Sequence, residues 1–412
     1  MSSLALAVLL ILPQSLTPTE QKTRVEAYFA ADAKTEAGQT ARRKILRELA
    51  KVELAPSAAP KELAAMQKRW TKGRELEKKT GQSFYWEEEK KGLFIVGGDT
   101  KKPKGLALCM HGGGVGSGEA SSAHGAYQGA LAALDWLAIY PEVLQKTECG
   151  WTDAGTEEWV MELIDCARRT WDIDPDRVYL CGHSMGGYGS WTLGAHHADQ
   201  FAALAPSAGA PTPIFDRSNT LIDIAEGVVP NLRNVAIRIY QSSDDPQVPP
   251  DANRFAVKRL EEAKARWGGF DFEYWEVDGR GHGEPPGGYE AHLAKIAEIE
   301  RTTHPDTVVW QPTLAWKQQS YWLFWDEPVK DMLVVARVGP EKNTIRVTSD
   351  GDVRGLSVLV DPKLVDPKKE LFVYLNEVEV YRGIPVPDLA TTLATGARGD
   401  HELAYTTRIR VK

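Results

Sequence analysis

RVYLCGHSMGGYGSW, residues 177–191, contains the most informative pattern in the chain. An apolar run ends at Cys181 and a segment rich in small residues follows, which predicts a strand that turns sharply into a helix. The turn itself, Gly182-His183-Ser184-Met185-Gly186, matches G-x-S-x-G. Small residues suit this turn because neighbouring backbone crowds it. The free N–H groups at the start of the following helix point towards the turn. Ser184 is therefore the candidate nucleophile, whereas the adjacent His183 is expected to pack or to form a hydrogen bond.

Around this turn, from about residue 83 to residue 304, short apolar runs alternate with longer helical patterns. This alternation predicts an α/β fold with a mostly parallel sheet flanked by helices, and the nearly continuous apolar runs agree because parallel strands are buried on both faces. Residues 19–82 are charged and helical in pattern, which predicts an N-terminal helical arm. Residues 305–412 read as short strands separated by turns, which predicts a β-rich, sandwich-like accessory domain.

The longer stretch IDPDRVYLCGHSMGGYGSWTLGAHHADQFAALAPSAGA, residues 173–210, resembles the α/β-hydrolase superfamily. Within it, the chain is similar to the esterase/polyhydroxybutyrate-depolymerase-like and prolyl-oligopeptidase-like lineage, over about residues 83–303. The resemblance implies an α/β-hydrolase fold and a serine hydrolase that needs no cofactor. A metal site is not expected either, because His196 and His197 lack the H-E-x-x-H spacing.

The turn after the apolar run GLALCM reads Met110-His111-Gly112-Gly113-Gly114 and resembles the HGGG-type motif of esterases and lipases. Backbone N–H groups in such a turn stabilise the oxyanion of a tetrahedral intermediate, and glycines allow the close approach. We expect Gly113 and Gly114 to be donors together with the N–H of Met185. A phosphate-binding loop is disfavoured, because no G-K-[ST] follows and the spacing is not G-x-G-x-x-G. His111 is expected to be a structural neighbour of these donors.

The resemblance also implies that the acid follows Ser184 in the chain and that a histidine follows the acid. After the strand-like run VAIRIYQ comes Ser242-Ser243-Asp244-Asp245-Pro246-Gln247-Val248-Pro249. The family often carries D-x-x-V-P at this place. Asp245 matches that spacing, and Asp244 is expected to cap or brace the loop.

His282 follows the strand-like run FEYWEV and has a glycine on each side, which leaves its ring free to reach Ser184. His292 lies in a helical stretch, His304 in a linker and His401 in the terminal domain, so these three fit worse. The expected base is therefore His282, which takes a proton from the Ser184 hydroxyl while Asp245 fixes its tautomer.

These residues predict a carboxylic ester hydrolase acting on a small-molecule or polymer ester. Two alternatives stay open. A prolyl-oligopeptidase-like serine peptidase is less favoured, because such enzymes usually carry a large β domain before the hydrolase domain, and here only residues 1–82 precede it. The second alternative is a carbohydrate- or polymer-binding module with an inactive hydrolase domain. It is suggested by four tryptophans, because exposed aromatic rings can stack on sugar rings: Trp310, Trp316, Trp322 and Trp325. The same tryptophans could instead form an aromatic seam between the last two domains.

The composition and the N-terminus bear on partners and location. The 412 residues include 49 Lys and Arg against 57 Asp and Glu, a net charge of −8, which disfavours nucleic-acid binding because phosphate contacts need clustered cations. Within residues 1–18, the apolar run Leu4–Leu12 is too short to span a bilayer but suits a signal peptide. We expect export, with the cytoplasm as the alternative because no Lys or Arg precedes the run. Nothing in the sequence indicates the oligomeric state.

Overall fold

The computed structural model describes residues 16–33, 35–87, 89–341 and 343–412. The predicted leader run Leu4–Leu12 lies outside these residues. Contacts within the chain define two compact units. The smaller one contains the described residues up to Trp70 together with Val386–Arg398 and Ala404–Arg408; the larger contains the described residues of 71–385, Gly399–Leu403 and Ile409–Lys412. The domain boundaries that we predicted at residues 83 and 305 stay predictions.

The described residues form α-helices and β-strands along the whole length from Pro18 to Arg410. The helices are α1 (Pro18–Ala30), α2 (Glu36–Leu49), α3 (Ala59–Trp70), α4 (Ala120–Ala133), α5 (Thr156–Thr170), α6 (Met185–His196), α7 (Asp251–Trp267), α8 (Gly288–Ala294) and α9 (Leu389–Gly396). The strands are β1 (Gly81–Trp86), β2 (Lys91–Gly98), β3 (Leu106–Met110), β4 (Leu137–Pro141), β5 (Val178–His183), β6 (Ala203–Ser207), β7 (Pro213–Phe215), β8 (Leu221–Ile224), β9 (Ala236–Ser242), β10 (Phe272–Val277), β11 (Thr307–Trp310), β12 (Gln319–Ser320), β13 (Leu323–Trp325), β14 (Val334–Val338), β15 (Thr344–Ser349), β16 (Leu356–Leu359), β17 (Leu371–Leu375), β18 (Val378–Gly383) and β19 (Arg408–Arg410).

The largest sheet of the described chain has the strand order β1-β2-β4-β3-β5-β6-β9-β10. The first three strands pair antiparallel, and every pair from β4 to β10 is parallel. A crossover order of this kind, with helices between successive parallel strands, is the α/β-hydrolase fold. The prediction of fold class is confirmed, and the carboxyl ends of β3, β5, β6, β9 and β10 meet at one edge, where ligands bind in open α/β sheets.

Strand β3 shows how the sheet is buried on both faces. Leu106 and Leu108 pack in one apolar cluster with residues of α5, α6 and α7, whereas Ala107 and Cys109 pack in another with residues of α4 and α8. All of β3 is buried. Because successive side chains of a strand point to opposite faces, an unbroken apolar run is what a sheet covered by helices on both sides requires.

The β-rich region carries two further sheets, with orders β11-β14-β15-β17-β18 and β12-β13-β16-β19. Trp310 of the first sheet meets Trp325 of the second edge to face, with ring centroids 6.0 Å apart. Trp310, Trp322 and Trp325 are each at most 2% exposed, so they present no free face on which a sugar ring could stack. Trp316 packs against His197, just after α6, at 5.4 Å between ring centroids. The structure therefore favours a packing role for these side chains.

The smaller unit is helical, as expected for its N-terminal part. Thr17 caps α1 in a capping box with Glu20, and α3 packs against α9 with Gly396 close to Leu63 and Met66. The sequence pattern did not predict that the late helix α9 would join the N-terminal helices, because long-range pairing leaves no local signal. None of the helices of the described chain is long and apolar enough to cross a membrane.

Candidate active site

Ser184 lies between the end of β5 and the start of α6, in a strained backbone conformation with φ 60° and ψ −122°. A non-glycine residue in this region costs about 1–3 kcal/mol and persists only where the surroundings enforce it. The Ser184 N–H donates to the carbonyl of Ser207 on β6 at 2.9 Å, and its carbonyl accepts from Tyr188 at 3.0 Å. These bonds hold the turn at the carboxyl edge of the sheet.

The glycines beside Ser184 leave no room for side chains. A Cβ on Gly186 would lie 2.1 Å from the Met110 carbonyl oxygen, and one on Gly187 would lie 2.5 Å from that of Ser207. Real Cβ atoms do not approach backbone oxygens so closely, so both positions require glycine. The small residues of the motif therefore have a steric cause, which is the close approach of β3 and β6 to the start of α6.

The structure brings Ser184, His282 and Asp245 together, although they are far apart in sequence. His282 Nε2 lies 2.9 Å from Ser184 Oγ, and His282 Nδ1 lies 2.7 Å from Asp245 Oδ2. A carboxylate can only accept, so Nδ1 carries the proton and Nε2 is left to accept from the serine hydroxyl. This is the tautomer that a general base needs.

Asp245 is buried, with a fully covered side chain, and its charge is compensated by hydrogen bonds. Its Oδ1 accepts from the N–H groups of Gln247 at 2.9 Å and Val248 at 3.0 Å. Oδ2, which faces His282, lies 3.4 Å from the Gln241 amide nitrogen. Buried carboxylates are tolerated when their oxygens are paired in this way, and the bonds fix the carboxylate plane against the imidazole.

The neighbouring Asp244 is exposed and points to the other side of the loop. Its Oδ1 accepts from the Ser242 hydroxyl at 2.5 Å and from the N–H groups of Arg280 at 3.2 Å and Gly281 at 2.9 Å. Hydrogen bonds, first from Ser242 and then from Gly281, lower the pKa of the Asp244 carboxyl. Asp244 thus braces the loop that carries His282, in agreement with the role expected for it.

The three predicted oxyanion donors differ in the placement of their backbone. Met185 is the first residue of α6, so its N–H has no partner within the helix. Gly113 has φ 138°, a conformation open to glycine. The N–H of Gly114 points to the Ser117 carbonyl, at 3.4 Å. Gly112 was not among the predicted donors, but it lies close to the nucleophile, because a Cβ there would be 3.2 Å from Ser184 Cβ.

Two further histidines near the site are engaged in hydrogen bonds. His111 Nδ1 lies 2.7 Å from the Gly112 carbonyl oxygen, and its Nε2 accepts from the Val143 N–H at 3.2 Å. Burial lowers the pKa of His111. His183 contacts Ser207 and the backbone of His282. Neither ring contacts Ser184 Oγ, and both therefore behave as the sequence led us to expect.

Two features near the site depend on contacts between distant segments of the chain. Gly209 follows β6, and a Cβ there would lie 2.4 Å from the Ser184 carbonyl oxygen. Tyr188 lies one turn along α6 from Ser184, and its hydroxyl bonds with that of Thr152 at 2.9 Å. The spacing i, i+4 could have placed Tyr188 on the face of Ser184, but its partner comes from a distant loop. No cluster of His, Cys, Asp and Glu that could hold a metal occurs in the described part of the chain.

Comparison with known proteins relates the chain to esterases. Residues 135–340 match the family model Esterase, described as "Putative esterase". The chain is 29% identical over 153 residues to the bifunctional acetylxylan esterase/xylanase XynS20E of Neocallimastix patriciarum, covering 32% of this chain and 22% of that protein. It is 36% identical over 124 residues to "Putative esterase NocK" of Nocardia uniformis subsp. tsuyamanensis, covering 26% of this chain and 34% of that protein.

Among solved structures, the chain is similar to the ferulic acid esterase AmCE1/Fae1A of Anaeromyces mucronatus. The identity is 18% and the TM-score 0.38, over 54% of this chain and 89% of that one. The matches to the two curated relatives span only about a quarter to a third of those proteins' own length, 22% and 34%.

Proposed function

The chain belongs to the esterase family, and we propose from this premise that it hydrolyses carboxylic esters, with Ser184 as nucleophile, His282 as general base and Asp245 as the orienting acid. The observation that carries the proposal is the hydrogen-bonded series from Ser184 Oγ to His282 Nε2, 2.9 Å, and from His282 Nδ1 to Asp245 Oδ2, 2.7 Å. The location of Ser184 on a strained strand-to-helix turn, at the carboxyl edge of the sheet, also supports the proposal.

The reaction has two halves. His282 takes the Ser184 proton as Oγ attacks the ester carbonyl, and the N–H of Met185, together with that of Gly113 in the turn after β3, stabilises the oxyanion. The alkoxide leaves with a proton from His282, and an acyl-enzyme remains. His282 then takes a proton from water, which attacks the acyl group, and returns that proton to Ser184 Oγ as the acid leaves. Asp245 keeps the imidazole in the required tautomer and stabilises the imidazolium.

Replacing the nucleophile tests this mechanism. We expect Ser184→Ala to lower kcat/KM on p-nitrophenyl acetate at least about 1000-fold, because triad members act as a unit. A fluorophosphonate probe should label the wild-type protein and not the variant. The matched control is Ser121→Ala on α4, an exposed residue whose hydroxyl donates to the Glu119 carboxylate at 3.3 Å and which should keep full activity. Turnover or labelling by the purified, folded Ser184→Ala protein would overturn the assignment.

The substrate class is a separate part of the proposal. We propose an ester with a small or polysaccharide-linked alcohol, since one curated relative is named as an acetylxylan esterase. Acetylated xylan, feruloyl esters, p-nitrophenyl esters of increasing acyl length and Pro-containing peptides form the test panel. Release of acetate or ferulate without peptide cleavage supports an esterase, whereas cleavage of the peptides alone would favour the peptidase alternative.

We also propose that residues 1–18 direct export. The support is the apolar run Leu4–Leu12 in the sequence. Fractionation of expressing cells, with N-terminal sequencing of the product, measures this directly. A protein that stays in the cytoplasm with its N-terminus intact would contradict it.

A further inference from the structure

His183, the last residue of β5, forms hydrogen bonds with both of its ring nitrogens. Nε2 lies 3.2 Å from the backbone carbonyl oxygen of His282, and Nδ1 lies 3.1 Å from the Ser207 hydroxyl. The two imidazole rings are 4.9 Å apart between centroids, at an interplanar angle of 55°. His183 therefore connects three elements of the site, because its own strand leads into Ser184, Ser207 ends β6, and His282 lies after β10.

These contacts fix the tautomer of His183. A backbone carbonyl can only accept a hydrogen bond, so the N–H of a neutral ring must be on Nε2. Nδ1 then accepts from Ser207, whose hydroxyl can donate. Burial, followed by the nearby His282, lowers the pKa of His183 to about 4. The ring is therefore neutral near pH 7 and adds no charge beside the imidazolium that forms on His282.

Part of the loop that carries His282 has open space around it. A Cβ on Gly279 or Gly281 would meet no atom within 4 Å, whereas one on Gly283 would lie 2.8 Å from the Arg280 carbonyl oxygen. Its backbone is held by Asp244 at residues 280 and 281 and by the Tyr240 hydroxyl, which donates to the Glu284 carbonyl at 3.1 Å. Between these two anchors, the His183 side chain forms a hydrogen bond with the His282 carbonyl oxygen.

We propose that His183 is a positioning residue, which holds the backbone of His282 by the Nε2–H hydrogen bond and thereby aims the His282 imidazole at Ser184. This inference rests on the proposed function, in which His282 is the base. Proton transfer requires donor and acceptor within hydrogen-bond reach, and a displacement of about 1 Å can lower a rate about 100-fold. Because His183 does not touch Ser184 Oγ, it acts through His282, and its loss should change kcat much more than KM.

Two substitutions of His183 separate its hydrogen bond from its volume. His183→Phe keeps a ring but loses both polar atoms, and His183→Gln keeps an N–H that can reach the carbonyl. We expect His183→Phe to lower kcat about 10- to 100-fold with KM within threefold, and His183→Gln to recover most of that loss. Rates are expressed per active site, titrated from the burst of p-nitrophenol, so that a fraction of misfolded protein cannot imitate the effect.

Ser207 provides an independent variant that keeps the ring in place. Ser207→Ala removes the hydroxyl that donates to Nδ1, so the His183 ring is held on one side only and its Nε2–H is less well aimed at the His282 carbonyl. We expect a several-fold lower kcat for Ser207→Ala and no further loss when it is combined with His183→Phe, since both act on one interaction. This variant decides the question if His183→Phe does not fold. His124→Phe on α4, away from the site, is the control for a histidine-to-phenylalanine change and should keep wild-type kinetics.

The outcomes are distinct. Wild-type kcat per titrated site in His183→Phe, or in Ser207→Ala if the former does not fold, would overturn the inference. An equal loss in His183→Phe and His183→Gln would also overturn it, because the ring volume would then matter and the donor would not. If Ser184→Ala remained active, the proposed function itself would fail. If Ser184→Ala is inactive but His183→Phe has the kcat of the wild-type protein, only the positioning role is refuted.

Discussion

The nucleophile and the base of this site are held by opposite means. At the turn around Ser184, Gly186 and Gly187 pack directly against backbone. An added Cβ on Gly186 or Gly187 would lie 2.1 or 2.5 Å from a backbone carbonyl oxygen, so the turn is fixed by steric contact. In the loop of His282, Gly279 and Gly281 have open space around them. That loop is fixed by hydrogen bonds from its backbone to side chains of other elements, chiefly Asp244.

This difference has a consequence for mutation. Packing against backbone cannot be relieved by a side-chain movement, so changes at the Ser184 turn should act on folding. Hydrogen bonds of an exposed loop contribute less to the free energy of unfolding but determine where the imidazole points. Changes in the His282 loop should therefore act on kcat while the protein stays folded.

The largest effect is expected from the two adjacent carboxylates of the acid loop. Asp245→Asn should lower kcat about 1000- to 10,000-fold, because an amide no longer selects the required tautomer of His282. Asp244→Asn should lower it only about tenfold or less, since the amide oxygen can still accept from the N–H of Gly281. Kinetics of both variants on one p-nitrophenyl ester measure the ratio. Equal losses, or the reverse order, would show that the acid has been assigned to the wrong residue.

The next largest effect is expected at Gly186, where steric contact fixes the Ser184 turn. Gly186→Ala would put a Cβ 2.1 Å from the Met110 carbonyl oxygen, and we expect a loss of about 3 kcal/mol or more in the free energy of unfolding. The control is Gly125→Ala on α4, where a Cβ meets nothing within 4 Å and alanine should stabilise the helix by about 0.5–1 kcal/mol. Urea unfolding measures both. A Gly186→Ala protein as stable as the wild type would remove the steric explanation of the motif.

The sequence predicts those parts of the fold and the site that are local in sequence. The strand, the turn and the helix around Ser184 are local in sequence, so one continuous stretch specifies them, and alternation of apolar and helical runs was enough to predict the α/β fold. Asp245 and His282 could be proposed because a family resemblance supplied their order, and in the structure His282 contacts Ser184 while Asp245 contacts His282.

What the sequence could not predict depends on contacts between distant segments. The close approach of Gly209 to the Ser184 carbonyl arises because β5 and β6 lie side by side. The hydrogen bond from His183 to the His282 carbonyl joins residues 99 apart. In the same way, four tryptophans within residues 310–325 suggested a seam, but only the paired sheets show that Trp310 and Trp325 meet each other.

The smallest expected effect comes from Gly281, which has φ 52° and open space around it. Gly281→Ala meets no steric contact, so its cost is the left-handed backbone alone, about 1 kcal/mol. We expect the unfolding free energy to fall by no more than this, and kcat to fall less than about fivefold, since 1 kcal/mol corresponds to about that factor. Gly281→Asn should be milder still, because asparagine tolerates this conformation better than alanine. If Gly281→Ala instead destabilised the protein as much as Gly186→Ala, the His282 loop would be held by packing after all, and the contrast between the two halves of the site would be lost.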